Sequence, residues 1–173
     1  MLNTIETLKG MLSPLPAYWN SLAESVPGEI IRRPAALGEW SALQCLYHLL
    51  DAERLVFPAR VRIFLSGGDA FPAFNPDEEG TDYSRMSPVE VAREFARHRG
   101  DNLRLLEQVQ PQHMALEARH AELGMVTLAQ MLNEWVAHDL NHTIQAERAL
   151  MQAFLPGSGP WRHYFKDHDM DGT

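Results

Sequence analysis

Residues 126–154 read VTLAQMLNEWVAHDLNHTIQAERALMQAF. Thr127 and Gln130 stand three apart, the spacing at which a threonine cap and a glutamine side chain satisfy each other's end of a starting helix. Leu128, Met131 or Leu132, Trp135, His138, His142, Ala146, Ala149 and Leu150 then recur at three- and four-residue steps. That period marks one long amphipathic helix, and Pro156 to Pro160 break it. Two positions of the buried stripe carry imidazoles instead of hydrocarbon. His138 and His142 are four apart, so they project from one helical face. Unsatisfied imidazoles in a core are costly, whereas two at this spacing can share one divalent metal.

Working outward, the rest of the chain has the same period. Residues 2–11 predict a short extra N-terminal helix. Ser13-Pro14 reads as a cap and first residue of a second helix ending at Pro27-Gly28. Ser41 and Gln44 form another capping-box pair and open a helix to about Ser66, with Pro58 predicting a kink inside it. Ser87-Pro88-Val89-Glu90 opens a further helix that ends before Pro111. No segment shows clear period-two alternation, and the connector at 110–125 carries no strand signal. The longest stretch without periodicity is 67–86, and connectors of that length commonly serve as lids or binding loops. The expected fold is all-α: a four-helix bundle forming a single domain over 1–173, with a C-terminal turn at 161–166 and a frayed tail at 167–173. Pattern alone leaves both parallel and antiparallel neighbours open.

Composition narrows the function. The chain has 173 residues with 45% hydrophobic content and a net charge of -8. This size suits one domain with a real core, and the acidic balance disfavours nucleic acid and anionic membrane as partners. No run is long enough to span a bilayer, and Met1 to Glu6 lacks the features of a signal peptide. A cytoplasmic location is therefore expected. Cys45 is the only cysteine, which excludes an internal disulfide and a cysteine-rich zinc site. Eight histidines beside two lysines is the unusual bias.

A third imidazole completes a constellation. His48 shares a helical face with Cys45, Leu49, Ala52 and Leu55, and it can converge with His138 and His142 if the two helices are neighbours. Three histidines leave coordination positions open, as catalytic rather than structural sites do. Asp51, Glu53 or Asp139 are candidates to orient a ligand ring through its second nitrogen. His98 is an alternative ligand, though a satisfied bundle histidine is the simpler reading. His113, His120, His163 and His168 read as solvated. Cys45 reads as a small buried hydrophobe, and the acidic run Asp77, Glu78, Glu79 as a solvated loop. Trp40 and Trp161 stand at element ends where they can wall a pocket. Without a metal, the same residues describe a plain bundle whose histidines pair with Asp51 and Asp139.

Several short motifs together resemble the DinB-like (DinB/YfiT-like) family. They are Gly38-Glu-Trp-Ser41 leading into His48-Leu-Leu-Asp51-Ala-Glu53-Arg54, then Gly124-Met-Val-Thr-Leu128, His138-Asp-Leu-Asn-His-Thr-Ile-Gln145, and Gly159-Pro-Trp-Arg162. The resemblance implies an up-down-down-up helical bundle, frequently a homodimer. It also implies a divalent metal, zinc or nickel, on His48, His138 and His142. Some relatives look like S-transferases for low-molecular-weight thiols, so a small-molecule substrate, a thiol among the candidates, is expected. The alternative is a non-enzymatic, metal-stabilised bundle serving as a dimeric stress-response or binding protein.

Overall fold

A computed structural model of the chain describes residues 4–170. Two short helices open it, α1 (Ile5–Leu12) and α2 (Leu15–Ser25), followed by the single turn α3 (Gly28–Ile31). Next comes one long rod in three parts: α4 (Ala42–Asp51), a π-turn (Ala52–Val56) and α5 (Phe57–Leu65). The connector after it holds β1 (Ala70–Phe71) and the turn α6 (Pro76–Glu79). The remaining long helices are α7 (Pro88–Leu106) and α8 (Leu128–Met151). Between these two lie a 3₁₀ turn (Pro111–Ala115) and the strands β2 (Glu117–His120) and β3 (Gly124–Thr127). A 3₁₀ segment, Leu155–Phe165, comes after α8.

All three expected capping boxes form. Ser41 N–H donates to Gln44 Oε1 at 2.9 Å, and Gln44 N–H returns to Ser41 Oγ at 3.3 Å. Ser87 with Glu90 and Thr127 with Gln130 repeat the exchange. Each satisfies backbone donors that a helix start leaves orphaned. Ser13 behaves otherwise. It ends α1, and Pro14 precedes α2 without any side-chain cap. Residues 2 and 3 of the expected first helix lie outside the described residues.

Two expectations need correcting. The chain is mostly helical but not all-α, because β1, β2 and β3 form a three-stranded sheet in that order. β1 runs parallel to β2, and β2 pairs antiparallel with β3, setting Ala118 against Val126. Four-residue strands are too short to show a period in the sequence. Ala118 and His120 point inward and alternate with the exposed Glu117 and Arg119, and Gly124 takes φ 76° where the ribbon turns. The tail is also held rather than frayed, at least to residue 170. Arg162 pairs with Asp169, Gln152 Nε2–H donates to the His168 carbonyl at 2.8 Å, and Met170 N–H donates to Gln152 Oε1. Asp171 to Thr173 lie outside the described residues.

Where the kink was expected, the helix holds the π-turn. Proline has no N–H to give the carbonyl four residues back, and just before Pro58 the ladder slips: Phe57 N–H reaches Ala52 O. The helices pack around two apolar clusters. One gathers Phe57, Val61, Phe64, Leu106, Leu128 and Trp135; the other gathers Trp19, Leu43, Leu46, Val91 and Phe95. Phe57 stacks on Trp135 with centroids 4.7 Å apart, while His48 meets His138 and His142 further along α8. The α4–α5 rod therefore runs antiparallel to α8. It runs parallel to α7, whose start packs with α4 and whose end packs with α5.

A charged layer joins the two clusters. Arg99 of α7 is completely buried, and its Nη2–H groups donate to Glu53 Oε1 at 2.7 Å and to Asp139 Oδ2. Its Nη1–H reaches the Leu12 carbonyl at 2.8 Å, where α1 ends. Trp135 Nε1–H and Asn102 Nδ2–H complete the shell of Glu53 at 2.8 and 2.9 Å. Burial pulls the Arg99 guanidinium pKa down, but the Glu53 and Asp139 charges outweigh it and the net shift is upward.

Candidate metal centre

His48 comes from α4, and His138 and His142 come from successive turns of α8. Each offers one ring nitrogen to a cluster in which the three atoms lie within 4.8 Å of one another. His48 Nε2 and His138 Nε2 approach to 2.8 Å. The far sides of two rings are held. His142 Nδ1 faces Gln145 Oε1 at 2.9 Å, and His138 Nδ1 faces Asp139 Oδ1 at 3.4 Å. Both partners are acceptors, so hydrogen bonding assigns the proton to Nδ1 in each and turns the Nε2 lone pairs inward. His48 Nδ1 is buried with no partner among the described residues.

Burial is the main reason that His48 falls to about 3 and His142 to about 4, with the neighbouring imidazoles pushing the same way. Both rings are therefore neutral at physiological pH, the form that ligates metal. Three imidazoles whose ring nitrogens converge on one point fit a divalent cation, which would relieve the close His48–His138 approach. Three protein nitrogens leave the remaining positions of a tetrahedral or larger shell open.

Aromatic side chains set the rings. Trp40 stacks on His142, centroids 5.6 Å apart and planes 23° apart, and tilts over His48 at 5.1 Å. Phe57 meets His138 edge-on at 5.3 Å, and Phe74 lies 6.5 Å from His48. These groups enclose a cavity of about 350 Å³ lined also by Val56, Arg60, Pro76 and Glu134. A second cavity of about 340 Å³ shares Arg60, Phe74 and Glu134 and runs on beneath the sheet past His120 and Met131. The expected loop at 67–86 thus supplies walls to the site through Phe74 and Pro76.

The other sequence candidates separate clearly. Asp139 reaches His138 directly, while Glu53 meets Arg99 and Trp135 instead of a ligand ring. Asp51 makes no hydrogen bond to the rings. It takes Thr81 N–H at 2.7 Å and Tyr83 Oη–H at 2.5 Å, anchoring the connector to α4. His98 lies apart, beside Arg97 and Glu94. Cys45 is fully buried, and burial pushes its thiol up to about 12. Trp40 walls the site as expected, whereas Trp161 is two-thirds exposed. His120, expected to be solvated, is buried; its Nδ1 accepts the Glu122 and Leu123 N–H groups and closes the β2–β3 turn. Two charged residues of the triad pocket escaped the sequence reading. Glu134 had a signal, since 134, 138 and 142 share one four-residue step; Arg60 had none.

Fold and site together define a helical bundle with a histidine triad at the head of an open pocket. The chain belongs to the DinB superfamily, whose family model matches residues 12–146. Among solved structures it is similar to YfiT from Bacillus subtilis, described as a probable metal-dependent hydrolase with an unusual four-helix bundle topology. That match has 19% identity and a TM-score of 0.72, covering 86% of this chain and 87% of that one. A DinB-like protein of Bacillus subtilis, YjoA, is similar at 16% identity and a TM-score of 0.58, covering 84% and 91%. No curated protein matches the chain. Among the described residues no helix is long and apolar enough to cross a membrane.

Proposed function

We propose that this protein is a divalent-metal-dependent enzyme acting on a small molecule, with His48, His138 and His142 as the metal ligands. The observation that carries the reading is the convergence of three imidazoles at the head of an open pocket. Zinc or nickel suits three nitrogen donors. Such an ion supplies a Lewis acid and lowers the pKa of a coordinated water or thiol. Glu134, one turn before His138 on the pocket wall, is placed to take the proton released. Burial raises its pKa, while His138 and Arg60 pull it back. The nucleophile is then water, in a hydrolysis of the kind described for YfiT, or a low-molecular-weight thiol, in an S-transfer.

The fold reading extends to a single domain over 1–173 in up-down-down-up order. The antiparallel packing of α4–α5 on α8 and its parallel packing on α7 support that order. A homodimeric, cytoplasmic protein belongs to the same reading. An open pocket beside the triad favours an enzyme over a metal-stabilised binding bundle, which has no use for a vacant coordination position.

Elemental analysis of protein purified without added chelator tests the site: about one zinc or nickel per chain is expected, and none in the H138A/H142A variant. Metal retained by that variant refutes the assignment. Turnover of activated esters with and without an added thiol separates hydrolysis from transfer. Loss of turnover on metal removal and its return on reloading are expected for either.

A further inference from the structure

The pocket holds a cation that no acceptor among the described residues engages. Arg60 projects from α5, one turn after Phe57, into the space between the triad and the sheet. It lines both cavities, with His48, His138 and His142 in one and His120 and Met131 in the other. The guanidinium has no hydrogen-bond acceptor and no carboxylate at ion-pair distance among the described residues. Its contact is with the Phe71 ring, 5.1 Å from the guanidinium carbon to the centroid. Glu134 is near enough to act through space but does not pair with it. Glu79, another acid beside this region, is turned to the Asn75 N–H at 2.9 Å.

We propose that Arg60 is the anchor for a substrate carboxylate, so that the site takes a small carboxylic acid with an apolar body. Its charged end rests on the guanidinium, its body lies against Phe74, and its reacting group reaches the histidines. Placing the reacting group there rests on the metal-site reading above; the anchor itself does not.

Four observations bear on it. A half-buried guanidinium presents a planar fork of donors, and its usual partner is a carboxylate or phosphate held by two parallel hydrogen bonds. Burial depresses its pKa and Glu134 offsets this only in part, so an incoming anion meets a cation already stripped of some water. A dianion is disfavoured, because Glu134 and Glu122 share the lining and Arg60 is the single guanidinium facing them. A monoanionic carboxylate matches one fork. The guanidinium lies over the Phe71 ring, which holds it at the pocket wall.

Calorimetric titration of 3-phenylpropanoate, its neutral amide and phenylphosphonate into the full-length protein tests the proposal. Titrations are run on metal-loaded and chelator-treated protein, alongside R60Q and E134Q. The carboxylate is expected to bind about tenfold or more tightly than the amide, and more tightly than the phosphonate, in both metal states. R60Q should abolish that preference while its metal content stays unchanged, and E134Q, which removes the competing charge, should strengthen carboxylate binding severalfold. Equal binding of acid and amide, tighter phosphonate binding, no detectable carboxylate binding, or a preference that survives in R60Q overturns the anchor. A preference seen only in metal-loaded protein places the carboxylate on the metal and also overturns it. A preference lost in R60Q, in a protein that proves to hold no metal, upholds the anchor and refutes the metal reading alone.

Discussion

Replacing Arg99 with methionine isolates what the buried charges contribute. The side chain is fully buried and bridges Glu53 and Asp139, both buried themselves. In R99M, Glu53 keeps the Trp135 and Asn102 donors, but Asp139 keeps only the long contact to His138. Breaking a buried ion pair costs about 3–5 kcal/mol, chiefly through the charge left unpaired. Orphaning the Leu12 carbonyl adds roughly 1 kcal/mol. The sum, about 4–6 kcal/mol, is a large share of the roughly 5–15 kcal/mol by which domains are stable. At about 2–4 °C per kcal/mol for a chain of this length, the melting temperature should fall by roughly 10–20 °C. Urea unfolding followed by far-UV circular dichroism measures it directly. The R99M/E53Q/D139N variant keeps acceptors for Trp135 and Asn102 but removes both charges, so it should recover at least half the loss. A loss in R99M under about 1 kcal/mol, or a triple variant no more stable than the single, refutes the reasoning.

The site and its surroundings lead to two further outcomes. Gln145→Leu removes the acceptor on His142 Nδ1, 2.9 Å away, and partners of this kind are worth about 10–100-fold in metal affinity; competition against a chromogenic chelator should show that drop, and unchanged affinity would show that Gln145 does not orient the ring. Cys45 titrates near the ordinary thiol value of 9.0 when unfolded but near 12 in the fold, so the stability it contributes is complete below pH 9 and drains away as pH rises towards 12, at up to about 1.4 kcal/mol per pH unit. Wild type should therefore lose more stability than C45A between those limits in urea titrations, and parallel curves would show that burial of the thiol does not govern its ionisation.

The three long helices and their starts were legible because each rests on local rules. Ser41, Ser87 and Thr127 each cap a helix in exchange with the side chain three residues on, and the apolar stripe of α8 needs no partner to be seen. His138 and His142 were legible for the same reason, one periodicity interrupted twice. His48 could be nominated from its own helix, but its meeting with the pair depends on the antiparallel packing of α4–α5 on α8, a tertiary fact. The sheet was hidden because a strand such as Glu117–His120 is shorter than any reliable period, and its partner β1 lies more than forty residues earlier. The partners of Asp51 were not legible, because proximity in sequence to His48 says nothing of the Thr81 and Tyr83 groups that approach from the connector. Glu53 was placed near the chemistry correctly, but its link runs through Arg99, which no pattern around residue 99 announces.

Arg60 was invisible for a reason that also explains the π-turn. It lies twelve residues after His48, and at about 100° per residue a regular α-helix would set the two side chains roughly 120° apart around the axis. On that count Arg60 faces away from the triad. The π-turn at Ala52–Val56 takes up about one extra residue without advancing the helical phase. The effective separation becomes eleven residues, and the two side chains return to within about 20° of each other. The same slip turns Phe57 onto Trp135 and His138, Val61 and Phe64 into the core, and leaves Glu53 facing Arg99. The slip is inexpensive because the Glu53 carbonyl it releases accepts from Asn102 Nδ2–H at 2.8 Å, and Pro58 has no N–H to lose. One local irregularity therefore lets a single rod carry a histidine for the metal site, a carboxylate for the buried charge layer and an arginine for the pocket, all facing the bundle.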